Sequence, residues 1–431
     1  MIYKKILNVF LLPFRQRYNI FTGTNTFLEW SQMLFFWISP KSCPQSTISV
    51  YENTFAKSTN TKHGISFGAG RMALYAVLEA LDINDGDEVV IPAFTCVVVP
   101  NAILYRGAVP VYVDINISDF NIDVSKIEEA ITPKTKALYA QHTFGVVCDV
   151  DAIRKIAIKY NIPIIEDAAH ALGAKYNNRL VGSLTEVSFC TSDHSKIINS
   201  HLGGIALTNN DEIAMRLRAI QEDAPFLDVH SIRKIIGTFL VEYICFHPRL
   251  MWIGKNVYAV LFRLKFLYYF LDEQKIEMPQ EYPFPCRLSA VQAKLGLSQL
   301  NNLDMNLAHR RNIAGYLDRN IGWYKFDEDE INRASWLRYS FLVKDRSKFE
   351  SAFKESFDLG VWFTSVVSGR TNDLHLVSYT LGSCPVAEYV CQHIVNFPTH
   401  LRVPLRFMKR EVGGNLKFIK AELKRKSSFS R

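Results

Sequence analysis

Between residues 49 and 224, short apolar segments alternate with segments whose apolar residues recur every three or four positions. The helical pattern is clearest over residues 72–81, where Leu74, Leu78 and Leu81 fall on one face. The strand-like segments, which are rich in β-branched residues, are 88–92, 108–113, 136–140, 162–165, 187–190 and 204–207. Strands separated by crossover helices predict an α/β fold with a mostly parallel sheet covered on both faces. Ligands of such sheets bind beyond the carboxyl ends of the strands, so the loops that follow the strands are the first places to look for a site.

The pattern differs between four parts of the chain. Residues 1–48 are aromatic-rich and irregular, and they form either an arm packed on the body or a segment that seeks a surface. Residues 49–224 form the large domain, residues 225–283 a helical, aromatic insertion, and residues 284–431 a smaller α+β domain with a basic tail. No uncharged run within 225–275 exceeds seven residues. We therefore expect this stretch to pack on the body or across a dimer, or to lie in a membrane interface as amphipathic helices.

The composition is that of a globular protein, since 48% of the 431 residues are hydrophobic and 21% are charged. The longest run without Asp, Glu, Lys or Arg is 89–105, and Pro92 and Pro100 interrupt it, so a membrane-spanning helix is not expected. The N-terminal apolar run contains Pro13 and lacks a cleavage site of small residues, which argues against a signal peptide. The eight cysteines form no C-x-x-C pair and are expected to be reduced thiols of a cytoplasmic protein without a bound metal.

The positive charge is concentrated at the C-terminus. Residues 402–431 contain ten Lys and Arg against two Glu, a balance equal to the net charge of +8 of the whole chain. A nucleic-acid-binding domain is normally basic across a folded face, so a nucleic-acid partner is not expected. The tail is either a solvated C-terminus or a contact to an anionic membrane surface.

Three loops hold candidate chemistry. In residues 66–71, Gly68 and Gly70 precede a helix whose positive end attracts an anion, and Arg71 adds a charged donor, although glycine turns are also common for steric reasons alone. Asp167 ends a buried strand, where it is either a ligand-binding carboxylate or the cap of a following helix. Lys196 follows the next strand, where it is either a solvated side chain or an amine prepared for imine chemistry.

The three loops together match the needs of one cofactor, pyridoxal 5′-phosphate (PLP). The glycine turn suits the phosphate, an aspartate keeps the pyridine nitrogen protonated, and a lysine forms the internal Schiff base. His194, two residues before Lys196, is an alternative base, but a single histidine more often makes a structural hydrogen bond.

The same segments resemble a known family, the DegT/DnrJ/EryC1/StrS aminotransferases, which are fold type I PLP enzymes that act on nucleotide-linked keto-sugars. The resemblance rests on a series of motifs in the order of the family: YENTFAKSTNTKHGI, GAGRMALYAVLEAL, GDEVVIPAFTCVVVPNAI, VYVDI, HTFGVVCDVDAI, IPIIEDAAHALGA, the lysine loop with its GG, RLSAVQAKLGLSQL and NFPTH. These motifs cover most of 49–222 and much of 284–404.

The resemblance implies roles for individual residues. Lys196 stands at the family's spacing from Gly203-Gly204 and resembles the Schiff-base lysine, and Asp167 resembles the partner of the pyridine nitrogen. His170 stands where the family has a residue near the phenolic oxygen of the cofactor. The residues that match phosphate-binding positions are Gly70, Arg71 and Thr191, with Ser192 as an alternative to Thr191.

The chain also departs from the family pattern. Arg71 replaces the usual threonine, and Cys96 follows Thr95 where the family places an aromatic residue that stacks on the cofactor ring. Phe94, in the neighbouring position, is an alternative source of the ring contact. A branch of the family has histidine in place of the lysine and dehydrates sugars, and the presence of Lys196 argues against that branch.

The resemblance implies a homodimer that transfers an amino group from an amino acid, with glutamate as the expected donor, to a keto group of a nucleotide-linked sugar for the synthesis of surface glycans. Two alternatives stay open. One is a PLP enzyme that catalyses a different reaction or acts on a different substrate, such as a dehydratase or an aminotransferase for a substrate without a nucleotide. The other is a scaffold of a glycan-assembly complex at the membrane surface, and peripheral contact with the inner face of the membrane is compatible with either an enzyme or a scaffold.

Overall fold

The computed structural model describes residues 16–270, 276–359 and 362–424. The strands in these ranges are β1 (Tyr18–Asn19), β2 (His63–Phe67), β3 (Glu88–Pro92), β4 (Thr95–Cys96), β5 (Val109–Val113), β6 (Thr135–Gln141), β7 (Ile164–Asp167), β8 (Lys175–Tyr176), β9 (Arg179–Leu180), β10 (Val187–Thr191), β11 (Gly204–Thr208), β12 (Arg338–Leu342), β13 (Phe357–Asp358), β14 (Val367–Ser368) and β15 (Ile394–Pro398). The α-helices are α1 (Phe27–Ile38), α2 (Ser46–Thr59), α3 (Gly70–Ala80), α4 (Val98–Leu104), α5 (Val150–Tyr160), α6 (Asp211–Asp223), α7 (Val229–Cys245), α8 (Met251–Arg263), α9 (Ala290–Asn301), α10 (Leu303–Ile321), α11 (Glu328–Arg333), α12 (Arg346–Phe353), α13 (Pro385–His393), α14 (Leu405–Gly414) and α15 (Leu416–Glu422).

A seven-stranded sheet in the order β2-β11-β10-β7-β6-β3-β5 forms the centre of the large domain. Only β11 runs antiparallel to its neighbours, β10 and β2. All six apolar segments of the sequence form strands of this sheet, so the predicted mostly parallel sheet is confirmed. The seventh strand, β2, did not stand out in the sequence because it begins with a histidine and a glycine and holds only two large apolar side chains, Ile65 and Phe67.

Helices cover both faces of the sheet, because its strands are apolar on both sides. On one face, Leu74 and Leu78 of α3 pack with Leu217 of α6 against the strands. On the other face, Phe55 of α2 and Ile153 of α5 enter a second buried cluster. The predicted apolar face of α3 is therefore buried in the core.

The smaller domain is built around the antiparallel pair β12–β15. Its core is aromatic: Phe341 of β12 and Phe397 of β15 pack with Phe349 and Phe353 of α12. Such rings bury a large apolar area and pack preferentially at tilted angles. This core positions β12, whose first residue, Arg338, lies close to the cleft described below.

The N-terminal arm is more regular than the sequence indicated. Residues 27–38 form α1, which begins with a capping box in which Thr26 and Glu29 satisfy each other's backbone amides. The buried Glu29 also accepts hydrogen bonds from Gln299 of α9 at 2.8 and 2.9 Å. The prediction of an irregular segment is wrong for these residues, because the cap and this long-range contact order the helix.

The aromatic insertion contains α7 and α8. Ile236, Phe239 and Leu240 of α7 pack against Met33 and Phe36 of α1, so this part of the insertion is buried against the arm and the body. Helix α8 buries only Met251 and Gly254. None of the helices in the described ranges is long and apolar enough to cross a membrane.

A buried carboxylate connects helix α2 to the sheet edge. Glu52 of α2 accepts hydrogen bonds from the backbone N–H and the hydroxyl of Ser66 in β2, at 2.8 and 2.7 Å. It also accepts from Gln221 of α6 at 2.7 Å and forms an ion pair with Arg218 at 2.9 Å. Because β2 leads directly into the glycine turn, this carboxylate positions one wall of the cleft.

We expect Glu52→Ala to lower the free energy of unfolding by about 2–4 kcal/mol, because it leaves several buried donors without an acceptor. Denaturant unfolding of the variant, with Glu129→Ala at an exposed position as the control, measures the effect. Equal unfolding midpoints for wild type and Glu52→Ala would contradict this account.

Candidate functional site

A cleft of about 750 Å³ lies at the carboxyl ends of β3, β6, β7 and β10. Every candidate site residue of the sequence analysis lines it: Gly70, Arg71, Cys96, Asp167, His170, Thr191 and Lys196. These residues come from loops as far apart as 126 positions in sequence, and the parallel sheet brings them together because its strand ends share one edge. Their placement agrees with the sequence analysis, while their individual roles remain predictions.

The glycine turn forms one end of the cleft. Helix α3 starts at Gly70 without a side-chain cap. A Cβ atom on Gly70 would lie 2.5 Å from Cβ of Thr191, so only glycine allows this approach. The hydroxyl of Thr191 donates to the carbonyl of Gly203 at 2.9 Å. Backbone amides at the start of a helix, with its positive dipole, make this end suitable for a phosphate.

The structure adds two details on the residues that were expected to bind the phosphate, Ser192 and Arg71. Ser192 does not line the cleft, and its hydroxyl pairs with that of Ser200 at 2.6 Å, which favours Thr191 over Ser192 at this position. Arg71 lines the cleft, and its guanidinium also donates to the backbone carbonyl of Phe270 at 3.4 Å. The insertion therefore reaches the edge of the site.

Asp167 is buried at the end of β7. One carboxylate oxygen accepts from the hydroxyl of Tyr139 at 2.7 Å, and the other accepts from the backbone N–H of Ala169 at 2.9 Å. Burial raises the pKa of the Asp167 carboxyl, and these two donors and Lys196 lower it. The alternative of a helix cap is wrong, because turns rather than a helix follow. Sequence reasoning missed Tyr139, which lies inside an apolar strand without any local polar signal.

Lys196 is 9% exposed and lies in the turn between β10 and β11. Its Nζ atom lies 4.9 Å from the ring centre of Trp362. Burial lowers the pKa of the Lys196 amine, while Cys96, Asp167 and Asp193 raise it. The alternative of a solvated surface lysine is therefore wrong. A buried amine with a lowered pKa loses its proton at less alkaline pH, which is the condition for a nucleophile.

His170 and Trp362 form an aromatic wall. The ring of His170 stacks on Phe144 with 5.8 Å between centroids, and its Nδ1 accepts from the backbone N–H of Phe144. Burial lowers the pKa of His170 well below its usual range, so the imidazole is neutral. Trp362, contributed by the smaller domain, lies 5.7 Å from His170 between ring centroids. The sequence analysis missed Trp362 because its proximity to the cleft depends on domain packing.

Phe94 is not the substitute for the missing aromatic residue. It is fully buried and packs edge-on against Phe363 at 4.7 Å, away from the cleft. Cys96 lines the cleft in the position that the family gives to an aromatic residue. Trp362 is thus the aromatic side chain that the structure brings to the lysine.

The lysine loop contains a second polar pair. Burial raises the pKa of the Asp193 carboxyl, but the adjacent His194 and Lys196 lower it further than burial raises it. Asp193 lines the cleft, whereas His194, 3.1 Å from Asp193, contacts the rings of Tyr269 and His201 instead. The geometry gives no support to His194 as the base of the site.

Together, the central sheet, its flanking helices and the smaller domain have the fold of the type I PLP-dependent transferases, as the sequence predicted. The family model of the DegT/DnrJ/EryC1/StrS aminotransferase family matches residues 44–246 and 271–409. The chain belongs to this family.

Two relatives show how far the similarity extends. The chain is 30% identical over 271 residues to GDP-perosamine synthase of Caulobacter vibrioides, a match that covers 63% of this chain and 61% of that protein. It is 38% identical over 368 residues to the uncharacterized protein MJ1066 of Methanocaldococcus jannaschii, covering 81% of this chain and 84% of that one. The chain therefore matches about three fifths of the first relative's length.

The structure also superimposes on solved structures. One is the GDP-4-keto-6-deoxy-D-mannose-3-dehydratase of Escherichia coli, described with bound hydrated PLP, with a TM-score of 0.70 and 21% sequence identity. The superposition covers 95% of this chain and all of that one, and at this identity it speaks for the fold alone. The family model leaves out residues 247–270, which include α8 and lie within the predicted insertion.

Proposed function

We propose that this protein is a PLP-dependent aminotransferase that moves an amino group from an amino acid, with glutamate as the expected donor, to a keto group of a nucleotide-linked sugar. The proposal rests on one observation. The Lys196 amine, the Asp167 carboxylate and Gly70 at the start of α3 all line the same cleft. The cleft also excludes most solvent from Lys196 and Asp167.

The residues present fit PLP. The backbone amides at the start of α3 suit its phosphate, Thr191 lies against this start, and Gly70 leaves the room that a larger residue would fill. The buried Asp167 suits a protonated pyridine nitrogen, because a buried carboxylate is stable when a cation meets it. When bound, PLP supplies an electron sink for a carbanion next to the amino group.

The chain's own residues then have separate tasks. Asp167 holds the proton on the pyridine nitrogen, and the Tyr139 hydroxyl orients the carboxylate from behind. The Lys196 amine accepts a proton from the donor carbon and returns it, which its lowered pKa favours. The neutral His170 and the ring of Trp362 exclude water around this amine.

The name of one relative, GDP-perosamine synthase, supports a nucleotide-linked sugar as the acceptor and a role in glycan synthesis. A dehydratase is the second candidate, because a solved structure with this fold bears that name. The presence of Lys196 in the cleft favours amino transfer, since the branch that dehydrates has histidine there. A silent scaffold is disfavoured because such a protein has no need of a buried lysine beside a buried aspartate.

Two further parts of the proposal concern assembly and location. Family resemblance supports a cytoplasmic homodimer in which the partner completes each cleft. Peripheral contact with an anionic membrane is supported by α8, where Ile253, Val257 and Val260 are 62%, 45% and 53% exposed and Arg263 supplies positive charge. Residues 425–431, which hold three of the basic residues of the tail, and residues 1–15 lie outside the described residues.

We expect Lys196→Ala and Lys196→Arg to abolish turnover and the absorbance band near the visible edge that borohydride removes from the wild type. Neither substitute supplies an amine that loses its proton at neutral pH. Absorbance spectra and a transamination assay measure both effects, with the exposed Lys134→Ala as the control. Transamination at the wild-type rate in either variant would show that Lys196 has another role.

We expect Asp167→Asn to keep PLP bound but to lose activity by about 10²-fold or more, because a neutral amide does not hold the proton on the pyridine nitrogen. Steady-state rates, alongside the bound cofactor measured by absorbance, separate the two effects. Asp85→Asn, at an exposed position, is the control. Wild-type turnover in Asp167→Asn would contradict the assignment.

We expect the protein to sediment with anionic vesicles, to be released by high salt, and to leave neutral vesicles unbound. Val257→Asp combined with Val260→Asp should abolish the binding, whereas Ile158→Asp, which changes an exposed residue of α5, should not. Equal, negligible binding of the wild type to both vesicle types, with a monodisperse dimer in solution, would assign α8 to packing between subunits instead.

A further inference from the structure

Glu242, near the end of α7, is a buried carboxylate that has no part in the proposed mechanism. Its side chain is almost inaccessible to solvent. One carboxylate oxygen accepts hydrogen bonds from the hydroxyls of Tyr258 and Tyr269, at 2.7 and 2.5 Å. The other oxygen lies 3.4 Å from Nδ1 of His201, which belongs to the loop that carries Lys196. Glu242 therefore joins the aromatic insertion to the lysine loop.

His194 continues this line of polar side chains toward the cleft. The ring centre of His194 lies 6.3 Å from that of His201. Its Nδ1 atom lies 3.1 Å from a carboxylate oxygen of Asp193. Asp193 lines the cleft, and its backbone carbonyl accepts a hydrogen bond from the N–H of Lys196 at 3.0 Å. Neighbouring side chains thus connect the Glu242 carboxylate to the turn that presents Lys196.

The carboxylates of Glu242 and Asp193 stand at the two ends of this line, and both are ionised. Burial raises the pKa of the Glu242 carboxyl, but His194 and His201 contribute to a net lowering of it. The pKa of the Asp193 carboxyl is also low, because His194 and Lys196 outweigh its burial. The other titratable groups around Glu242 are Tyr258, Tyr269, Cys245 and Arg402.

The Lys196 amine is the group on which the Asp193 charge acts. Burial lowers the pKa of this amine, and Arg338 lowers it further. Three groups raise it, namely Cys96, Asp167 and Asp193. Asp193 belongs to the same loop as the lysine and contacts His194 on its other side. A negative charge that faces an amine stabilises its protonated form, so the position of Asp193 affects how readily Lys196 loses its proton.

We propose that Glu242 is a positioning residue for Lys196, which holds the His194–Asp193 pair so that the Asp193 carboxylate faces the amine. The role rests on the proposed aminotransferase function, in which this amine accepts and returns a proton. It adds a residue of the aromatic insertion that controls the proton affinity of the amine. Glu242 is not among the described residues that line the cleft, so it acts through the loop and not on a substrate.

A purely structural role is the alternative, because a carboxylate that accepts two hydrogen bonds also holds helices together. Glu242→Gln separates the two roles. The amide has nearly the same size and keeps an oxygen that accepts from the tyrosine hydroxyls, but it lacks the negative charge. Glu388→Gln is the matched control. Glu388 accepts from the hydroxyl of Tyr379 at 2.7 Å in the smaller domain, outside the described lining of the cleft.

The first measurement follows the Lys196 amine in the full-length protein without PLP. Its rate of modification by trinitrobenzenesulfonate is measured against pH, with the Lys196 peptide quantified by mass spectrometry. We expect Asp193→Asn to lower the pH midpoint of the reaction by about 1, because loss of a facing negative charge favours the neutral amine. Glu242→Gln should lower the midpoint by about 0.5 or more, and Glu388→Gln should leave it unchanged.

The second measurement asks whether the two carboxylates act together. The double variant Glu242→Gln with Asp193→Asn should shift the midpoint no further than Asp193→Asn alone, since residues that act through one another are not additive. His201→Asn interrupts the line from the loop side, at a positive φ that asparagine tolerates, and should also lower the midpoint. This variant keeps the test possible if Glu242→Gln does not fold.

The third measurement uses the PLP-loaded protein. The pH at which the absorbance band of the bound cofactor changes should fall in Glu242→Gln and Asp193→Asn, in the same order as the midpoint of the free amine. Denaturant unfolding of each variant, followed in parallel, shows whether a lower stability accompanies the shift. A shift in Glu242→Gln at an unchanged unfolding midpoint supports the positioning role.

The outcomes distinguish this role from the proposed function. A wild-type midpoint in Glu242→Gln, in folded protein, overturns the positioning role and leaves Glu242 a structural residue. Shifts that add in the double variant overturn it as well, because the two carboxylates then act independently. A wild-type protein that binds no PLP overturns the proposed function, whereas the reactivity of the Lys196 amine still tests Glu242.

Discussion

The close approach of Gly203 and Gly204 to the turn before α3 is the contact on which the site depends. The N–H of Gly203 donates to the carbonyl of Gly68 at 2.9 Å, and a Cβ atom on Gly204 would lie 2.4 Å from the carbonyl oxygen of Ala69. Because the lysine loop ends at these glycines, the contact holds that loop against the start of α3. It thereby sets the distance between the anion-binding end of the cleft and the Lys196 amine, and bulkier residues would push the two apart.

The N-terminal arm and the aromatic insertion also hold this loop. Asn25, which precedes the matched region, exchanges hydrogen bonds with Asn199 at 2.6 and 3.2 Å. On the other side, the buried Glu242 of α7 lies 3.4 Å from His201 and accepts from the hydroxyl of Tyr269. The N-terminal arm and the insertion thus support the segment that carries Lys196. Substitutions in α7 are therefore expected to change the position of the Lys196 amine.

Buried charges in this protein fall into two groups. Glu52 and Arg310 have their donors and acceptors satisfied by neighbouring protein groups, as structural charges require. Lys196 and Arg338 are also buried but face aromatic rings of the cleft, and Arg338 has no hydrogen-bond partner among the described residues. Unsatisfied buried charges destabilise a fold unless a ligand completes them, and for this reason they mark the cleft as the functional site.

The sequence by itself determined the parallel sheet and most of the cleft lining. Apolar segments and helical periodicity indicate which residues of each segment are buried, without knowledge of distant contacts. Loops such as that of Asp167 follow parallel strands, and the carboxyl ends of these strands meet at one edge of the sheet. Only the tertiary structure decided which aromatic ring faces Lys196, namely Trp362 rather than Phe94, and that Tyr139 supports Asp167. It also decided that α1 is ordered and that Arg338, which stacks on Trp362, has no hydrogen-bond partner in the part of the chain that the structure describes. These features depend on contacts between segments distant in sequence, whose side-chain directions follow from domain packing and leave no periodic signal in the chain.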